Sequence, residues 1–230
     1  MIQKLNWDSN FFNLNIGKAI INNTEEYFLA HAEFTKSKFD LIYIFCPETI
    51  DYQTIEIIKS KKNLHDTKLT FTKNNLTSYK LNSNINSINL LSPKLEELAI
   101  KSGIFSRFKR DHHLNKYFPL LYKTWIHRSV NHEIADIVYG YFSDSQELLG
   151  VLTLKKDDNI AKIGLISVSE ESRGLGIGKA LLHQAEHWCF INRVEKLSVD
   201  TQELNKKANS FYRVYDFNLS NKLHIFHLWK

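Results

Sequence analysis

The run Arg173-Gly174-Leu175-Gly176-Ile177-Gly178 constrains this chain more than any other feature. It follows an apolar stretch over 163–168 that reads as a strand. It opens a segment over 176–192 in which Ile177, Leu181, Ala185, Trp188 and Cys189 recur at helical spacing. Strand, glycine turn and helix together predict an anion site. Free N–H groups at a helix start point at the guest, glycines let the backbone approach it, and an arginine adds fixed charge. A phosphate or pyrophosphate is the expected guest. Other glycine loops fit less well. A Walker loop needs Gly where Arg173 stands and Ser or Thr where Ala180 stands. The dinucleotide fingerprint would put its third glycine at Lys179, and in a first βα turn rather than late in a series of strands. The bland reading is a tight turn whose glycines only supply positive φ, which one glycine would do.

Around this turn the pattern predicts an α/β chain in two halves. In residues 1–88, strands are expected at 16–22 and 41–46, helices at 24–39 and 51–62, and a further strand at 76–81. The polar, Asn- and Ser-rich stretch 82–89 is read as a linker. Residues 89–230 then open with Ser92-Pro93, an N-cap followed by proline at the first helical position. A polar, aromatic loop over 103–118 and a helix ending near 130 lead to strands at 133–142, 147–156 and 160–168, close enough to form a meander. A strand at 196–201, a short helix at 205–215 and a final strand at 222–229 complete the reading.

Composition narrows the class. With 230 residues, 43% hydrophobic and 13% aromatic, the chain can bury a substantial core. Its net charge of +5 is spread along the chain, which argues against nucleic acid as partner. Cys46 and Cys189 are too few for a disulfide framework or zinc site, no metal is expected, and the histidines stay unassigned. Neither a charged-then-apolar leader nor a membrane-length apolar run of about 20 residues is seen, so a reducing cytoplasm is expected.

Arg173, Gly176 and Gly178 match the hallmark of the GNAT superfamily of acetyltransferases, Arg or Gln, two residues, Gly, one residue, then Gly or Ala, and the chain resembles that family. A second segment, Asn205, Ala208, Tyr212 and Phe217, is similar to the family's region after the splayed strand, with Asp216 where Gly is usual. Aspartate tolerates left-handed backbone better than most residues. The resemblance implies a GNAT fold, a mixed sheet flanked by helices, with residues 1–88 as an incomplete GNAT-like half. It implies acetyl-CoA as cosubstrate. Its pyrophosphate would lie on the 173–179 loop (Arg173, Gly174, Leu175, Gly176, Ile177, Gly178, Lys179), and its pantetheine arm along Leu165, Ile166, Ser167 and Val168, with Asn205 and Ala208 beside it. Tyr212 would face the departing thiolate. A phenol near pKa 10 gives its proton to a thiol near 8.5 uphill by roughly 1.5 units, about 2 kcal/mol, so a strengthening hydrogen bond is the safer role. No general base is identified; Glu170, Asp200 and His183 read as surface residues or caps, and a water relay would suffice.

Two more segments, Leu5-Asn6-Trp7-Asp8-Ser9-Asn10-Phe11-Phe12 and Phe105-Ser106-Arg107-Phe108, narrow the resemblance to the dTDP-fucosamine acetyltransferase group. That group acetylates the 4-amine of a nucleotide-linked 4-amino-4,6-dideoxyhexose for surface polysaccharide. Ser106, Arg107, Phe108, Tyr117 and Tyr122 would then meet the sugar nucleotide, Lys109 and Arg110 could add charge against its diphosphate, and a homodimer is implied. A basic surface loop over buried aromatics explains the same loop equally well. Trp7, Phe11 and Phe12 are expected to tie the N-terminus to the core. Acetylation of a peptide, lysine or polyamine and a non-catalytic acyl-CoA sensor are the rival readings.

Overall fold

The computed structural model describes residues 2–60 and 64–230. Its first elements are β1 (Gln3–Lys4), α1 (Asn6–Phe12), β2 (Ile16–Ile20), α2 (Thr24–Lys36), β3 (Leu41–Pro47), α3 (Tyr52–Ser60) and β4 (Leu64–Lys73). Then follow β5 (Ile85–Ser87), α4 (Pro93–Ser102), α5 (Arg107–Arg110), α6 (Phe118–Val130), β6 (Ile137–Phe142), β7 (Leu148–Asp157) and β8 (Ile160–Val168). The glycine turn leads into α7 (Ile177–Ile191), β9 (Lys196–Gln202), α8 (Lys206–Val214) and β10 (Asn218–Trp229).

The ten strands among the described residues form one mixed sheet in the order β1-β2-β3-β10-β4-β9-β8-β7-β6-β5. The last strand runs antiparallel between β3 and β4, so residues 1–88 and 89–230 share a single sheet. On one face α2 and α3 cover the β3/β10 end through Tyr27, Ala30, Phe34, Ile55 and Ile58, while α7 covers β7–β9. On the other face α4 and α6 pack over Leu41, Tyr43, Val151 and Leu165. Local signals start the helices as expected. Ser92 Oγ accepts from Leu95 N at 3.2 Å ahead of Pro93, and Asn23 Oδ1 accepts from Glu26 N at 2.9 Å.

The structure corrects the sequence reading in four places. Residues 76–81 are no strand; the strand is β4, over 64–73, central in the sheet. Its alternate residues Asp66, Lys68 and Thr70 look like connection, but Thr70 Oγ1 and Lys68 Nζ bond Asp200 on β9 at 2.6 and 3.2 Å, which satisfies them inside the sheet. Residues 74–84 instead cross α7 irregularly, with Tyr79 stacked on His183 at 3.7 Å. The polar 82–89 stretch contains edge strand β5, paired with Tyr139–Tyr141 of β6; an edge needs only one partner and tolerates polar side chains. The 103–118 loop holds the short helix α5, and β1 and α1 precede the first expected strand. Helix α3 ends at Ser60 among the described residues, and the expected positions 61 and 62 lie outside them.

Candidate active site

The site begins with a fault in the sheet. Strand β8 pairs in parallel with β9 only from Ile160–Ile163 against Lys196–Val199. On its other side β8 carries an extra residue against β7: Leu154 opposes Ile163 while Leu152 opposes Ile166. Thr153 Oγ1 accepts from Leu165 N at 2.9 Å inside this bulge. A bulge bends its strand and inverts the side-chain phase beyond it. Ile163 and Ile166 therefore both pack toward α7, and Leu165 faces the α4/α6 core. Past the bulge, residues 164–168 run outside the β9 ladder, and the two parallel strands open into a wedge.

The glycine turn lies beyond the end of β8. Gly174 and Gly176 have φ of +83° and +80°, and nothing lies within 4 Å of where a Cβ would stand. Gly176 caps α7 without a side-chain hydrogen bond, so the first N–H groups of the helix keep their donors for a guest. Arg173 is exposed, with Glu170 at 3.8 Å as a loose neighbour. Gly178 has a different duty, since a Cβ there would sit 3.1 Å from the Phe211 ring. Its absence lets α8 close on α7. Leu175 and Lys179 are exposed.

Helix α8 is fixed by two asparagines. Asn205 caps it, accepting from Ala208 N at 3.2 Å, and buried Asn209 donates to Glu203 O at 3.0 Å. Tyr212 is 3% exposed, with Phe71, Phe211 and Phe217 around it at ring separations of 5.6 to 5.7 Å. Burial pushes its pKa well above the ordinary phenol value, so it is a neutral donor. Asp216 takes the left-handed conformation, φ +64°. Ile166, Val168, Ala208 and Tyr212 belong to one apolar cluster, so this half of the expected constellation is brought together.

The other half stands on the opposite face. Ser106 is buried and caps α5 through Lys109 N at 3.4 Å, and Leu165 shares a cluster with Phe108 and Tyr122. Register carries α5 to the open end of the wedge: Gln202 ends β9 opposite Lys68 of β4, and Asp66, two residues further along β4, holds Arg110 at 2.9 Å. Arg110 is thereby taken. Lys109 lies over Phe118 at 5.4 Å. Arg107 is held on two rings. Its guanidinium carbon lies 4.3 Å from the Phe108 ring centre and 5.1 Å from that of Tyr43, its buried Nε has no partner, and it makes no ion pair among the described residues. Phe108 and Tyr122 are buried and back the site, while Tyr117 is half-buried against Phe12 at 5.5 Å. Trp7 stacks on Phe11, Phe11 meets Phe12 edge to face, and Phe12 stacks on Phe108, tying α1 to α5. Tyr43 was not singled out from the sequence. It is a buried strand residue whose place beside Arg107 depends on pairing between distant segments.

The sequence profile of the acetyltransferase (GNAT) family matches residues 102–217, which holds α5, the wedge, the glycine turn and Tyr212. The chain belongs to that family. This GNAT acetyltransferase resembles several solved structures in fold. A conserved protein of unknown function from Staphylococcus epidermidis has a TM-score of 0.64 at 14% identity, over 94% of this chain and 84% of that one. A GCN5-related N-acetyltransferase from Sphaerobacter thermophilus has 0.54 at 10% identity, covering 89% of this chain; the match spans only 65% of that longer protein. An acetyltransferase of the GNAT family from Colwellia psychrerythraea has 0.54 at 13% identity, over 90% and 72%. No curated protein matches the chain. Among the described residues no cluster of three metal-ligating side chains occurs, and no helix is long and apolar enough to cross a membrane.

Proposed function

We propose that this acetyltransferase moves an acetyl group from acetyl-CoA to the 4-amine of a nucleotide-linked 4-amino-4,6-dideoxyhexose, with dTDP as the nucleotide. The single observation that carries the acceptor class is Arg107. A guanidinium held on two aromatic rings, its buried Nε without a partner and Asp8 and Asp66 coupled to it only through longer-range charge, keeps hydrogen-bonding capacity that a diphosphate fills with charge-assisted bonds. Phe108 and Tyr122 back that seat, Ser106 holds the turn of α5, and Tyr117 flanks it with one face partly open.

The residues present fit acetyl-CoA. The uncapped N–H groups of Ile177, Gly178 and Lys179, the open space over Gly174 and Gly176 and the exposed charge of Arg173, only loosely paired with Glu170, suit its pyrophosphate. The unpaired edge of Leu165, Ile166, Ser167 and Val168 suits the amides of its pantetheine arm, with Asn205 and Ala208 setting α8 alongside. When bound, it supplies an activated acyl group and a thiolate leaving group. Tyr212, held neutral by burial, donates a hydrogen bond toward the sulfur as charge develops there. We read residues 1–88 as an incomplete GNAT-like half and 89–230 as the acetyltransferase half, in a cytoplasmic homodimer.

Thiol release from acetyl-CoA is the test, followed across dTDP- and UDP-linked 4-amino-4,6-dideoxy sugars with a lysine peptide and spermidine as controls. Turnover confined to a nucleotide sugar is the expected result. Turnover on the controls alone, or none with coenzyme A bound, overturns the acceptor assignment.

A further inference from the structure

Helix α5, which carries Arg107, is a single turn, too short to hold itself in place. It is tied to the sheet at its C-terminal end by adjacent residues. Arg110 bonds Asp66 and His65 O of β4 at 2.9 and 3.0 Å. Asp111 reaches β10 instead: its Oδ2 accepts from His227 Nδ1 at 2.5 Å and Trp229 Nε1 at 3.0 Å, while Oδ1 accepts from His113 N at 2.9 Å. His227 and Trp229 are two apart on one strand and so present one face. The His227 ring lies 4.6 Å from that of Tyr43, the ring that carries the Arg107 guanidinium.

This tie is polar and almost wholly buried, Asp111 at 2% and His227 at 0% exposure. Apolar side chains would hold the segment with less desolvation, but a carboxylate accepting three directed bonds fixes position rather than merely contact. Donation from Nδ1 sets the His227 tautomer. Its Nε2 is buried with no partner, so the ring is not placed to receive a proton from an amine.

We propose that Asp111, His227 and Trp229 are positioning residues for the acceptor, holding α5 so that Arg107 keeps its place over Tyr43 at the mouth of the wedge. This rests on Arg107 meeting the acceptor, as proposed above. The experiment compares D111A, H227F, H227N and the mild variant W229F with the parent chain. Two readouts are taken: amide hydrogen exchange in the ligand-free protein, and KM for acetyl-CoA and for whichever amine is turned over, with dTDP affinity in place of the latter if none is. In D111A and H227F the amides of 107–114 lose protection while those of α7 keep theirs. The acceptor KM, or the dTDP dissociation constant, rises about 10- to 100-fold, the scale of a 1 Å misplacement, and the KM for acetyl-CoA holds. W229F shows the same pattern to a smaller degree, and H227N, whose amide can still donate to Asp111, recovers both readouts. Unchanged exchange in variants that fold overturns the proposal, as does loosened exchange with an unchanged acceptor constant. If D111A does not fold, W229F and H227N decide. Absence of turnover on nucleotide sugars with spermidine or peptide accepted sinks the acceptor assignment alone, because the exchange readout and the amine's own KM still judge the tie.

Discussion

The two sides of the wedge are built differently. The coenzyme side is mostly local: glycine turn, helix start and Tyr212 come from β8 through α8, within residues 163–217, the bulge adds only Thr153 of the neighbouring β7, and Phe71 of β4 backs Tyr212. The acceptor side is a meeting of strangers. Arg107 lies on Tyr43, Arg110 bonds Asp66, and Asp111 bonds His227, across separations of 44 and 116 residues in the last two cases. A side assembled from neighbours tolerates drift elsewhere in the chain, whereas one assembled from distant strands is as sound as the whole sheet.

Substitutions on the two sides should therefore separate. The largest effect is expected from Tyr212→Phe, which keeps the ring among Phe71, Phe211 and Phe217 and removes one donor. Turnover should fall about 10²- to 10³-fold, as for other preorganised donors, with coenzyme A affinity unchanged by calorimetry. Equal turnover would remove Tyr212 from the chemistry. Next, Arg107→Gln should lower kcat/KM for the acceptor about 10- to 100-fold, the worth of one or two hydrogen bonds to a charged group, and leave the KM for acetyl-CoA alone. A shift in both constants would erase the distinction between the sides.

Gly176→Ala tests the coenzyme side. A Cβ meets no atom there, so the cost is backbone alone, about 1 to 2 kcal/mol at φ +80°. Thermal unfolding should report that loss, and weaker coenzyme A binding should accompany it if the turn shifts. A melting temperature equal to the parent's would contradict the left-handed geometry.

The smallest effect at neutral pH concerns the acceptor side's buried pair. Burial lowers the His227 pKa to about 4 against the ordinary 6.5, with Asp111 raising it and Arg107 and Arg110 lowering it in turn. Depressed folded pKa in a histidine means that the folded state binds fewer protons than the unfolded state between those values. Stability is thus complete above about pH 6.5 and falls as pH drops toward 4. Asp111, itself lowered, loses its contribution only below the ordinary carboxylate range. His65 is also lowered to about 4, so His227→Gln should flatten part of the acid limb and leave the remainder. An unchanged limb would place the sensitivity in the other lowered histidines, His65, His224 and His183.

What was legible followed the same division. The strands at 160–168 and 196–201, the helix over 176–192, the N-cap at Ser92, the short helix starting near Asn205 and the glycine turn were all readable, because period, capping and turn chemistry are properties of adjacent residues. Tyr212 came with them through its spacing from Asn205. The bulge at Thr153 left no mark, since an extra residue shows only once two strands are paired. Strand β4 was misplaced because Lys68 and Thr70 look solvated until Asp200 of β9 is set beside them.

By itself the sequence determined the elements on one side of the wedge: a glycine turn at a helix start, an apolar strand before it and a tyrosine in the next short helix. These follow from local backbone preference and side-chain period. Tertiary structure alone decided how the three cations of this stretch are held. Arg107, Lys109 and Arg110 are alike as sequence, and only the assembled sheet, with β10 between β3 and β4, takes up Arg110 through Asp66, ties Asp111 to His227, lays Lys109 over Phe118 and sets Arg107 on two rings with Asp8 and Asp66 as longer-range charges. Charge carries no memory of chain order; what pairs with it is settled by the groups that the fold brings within a few ångströms.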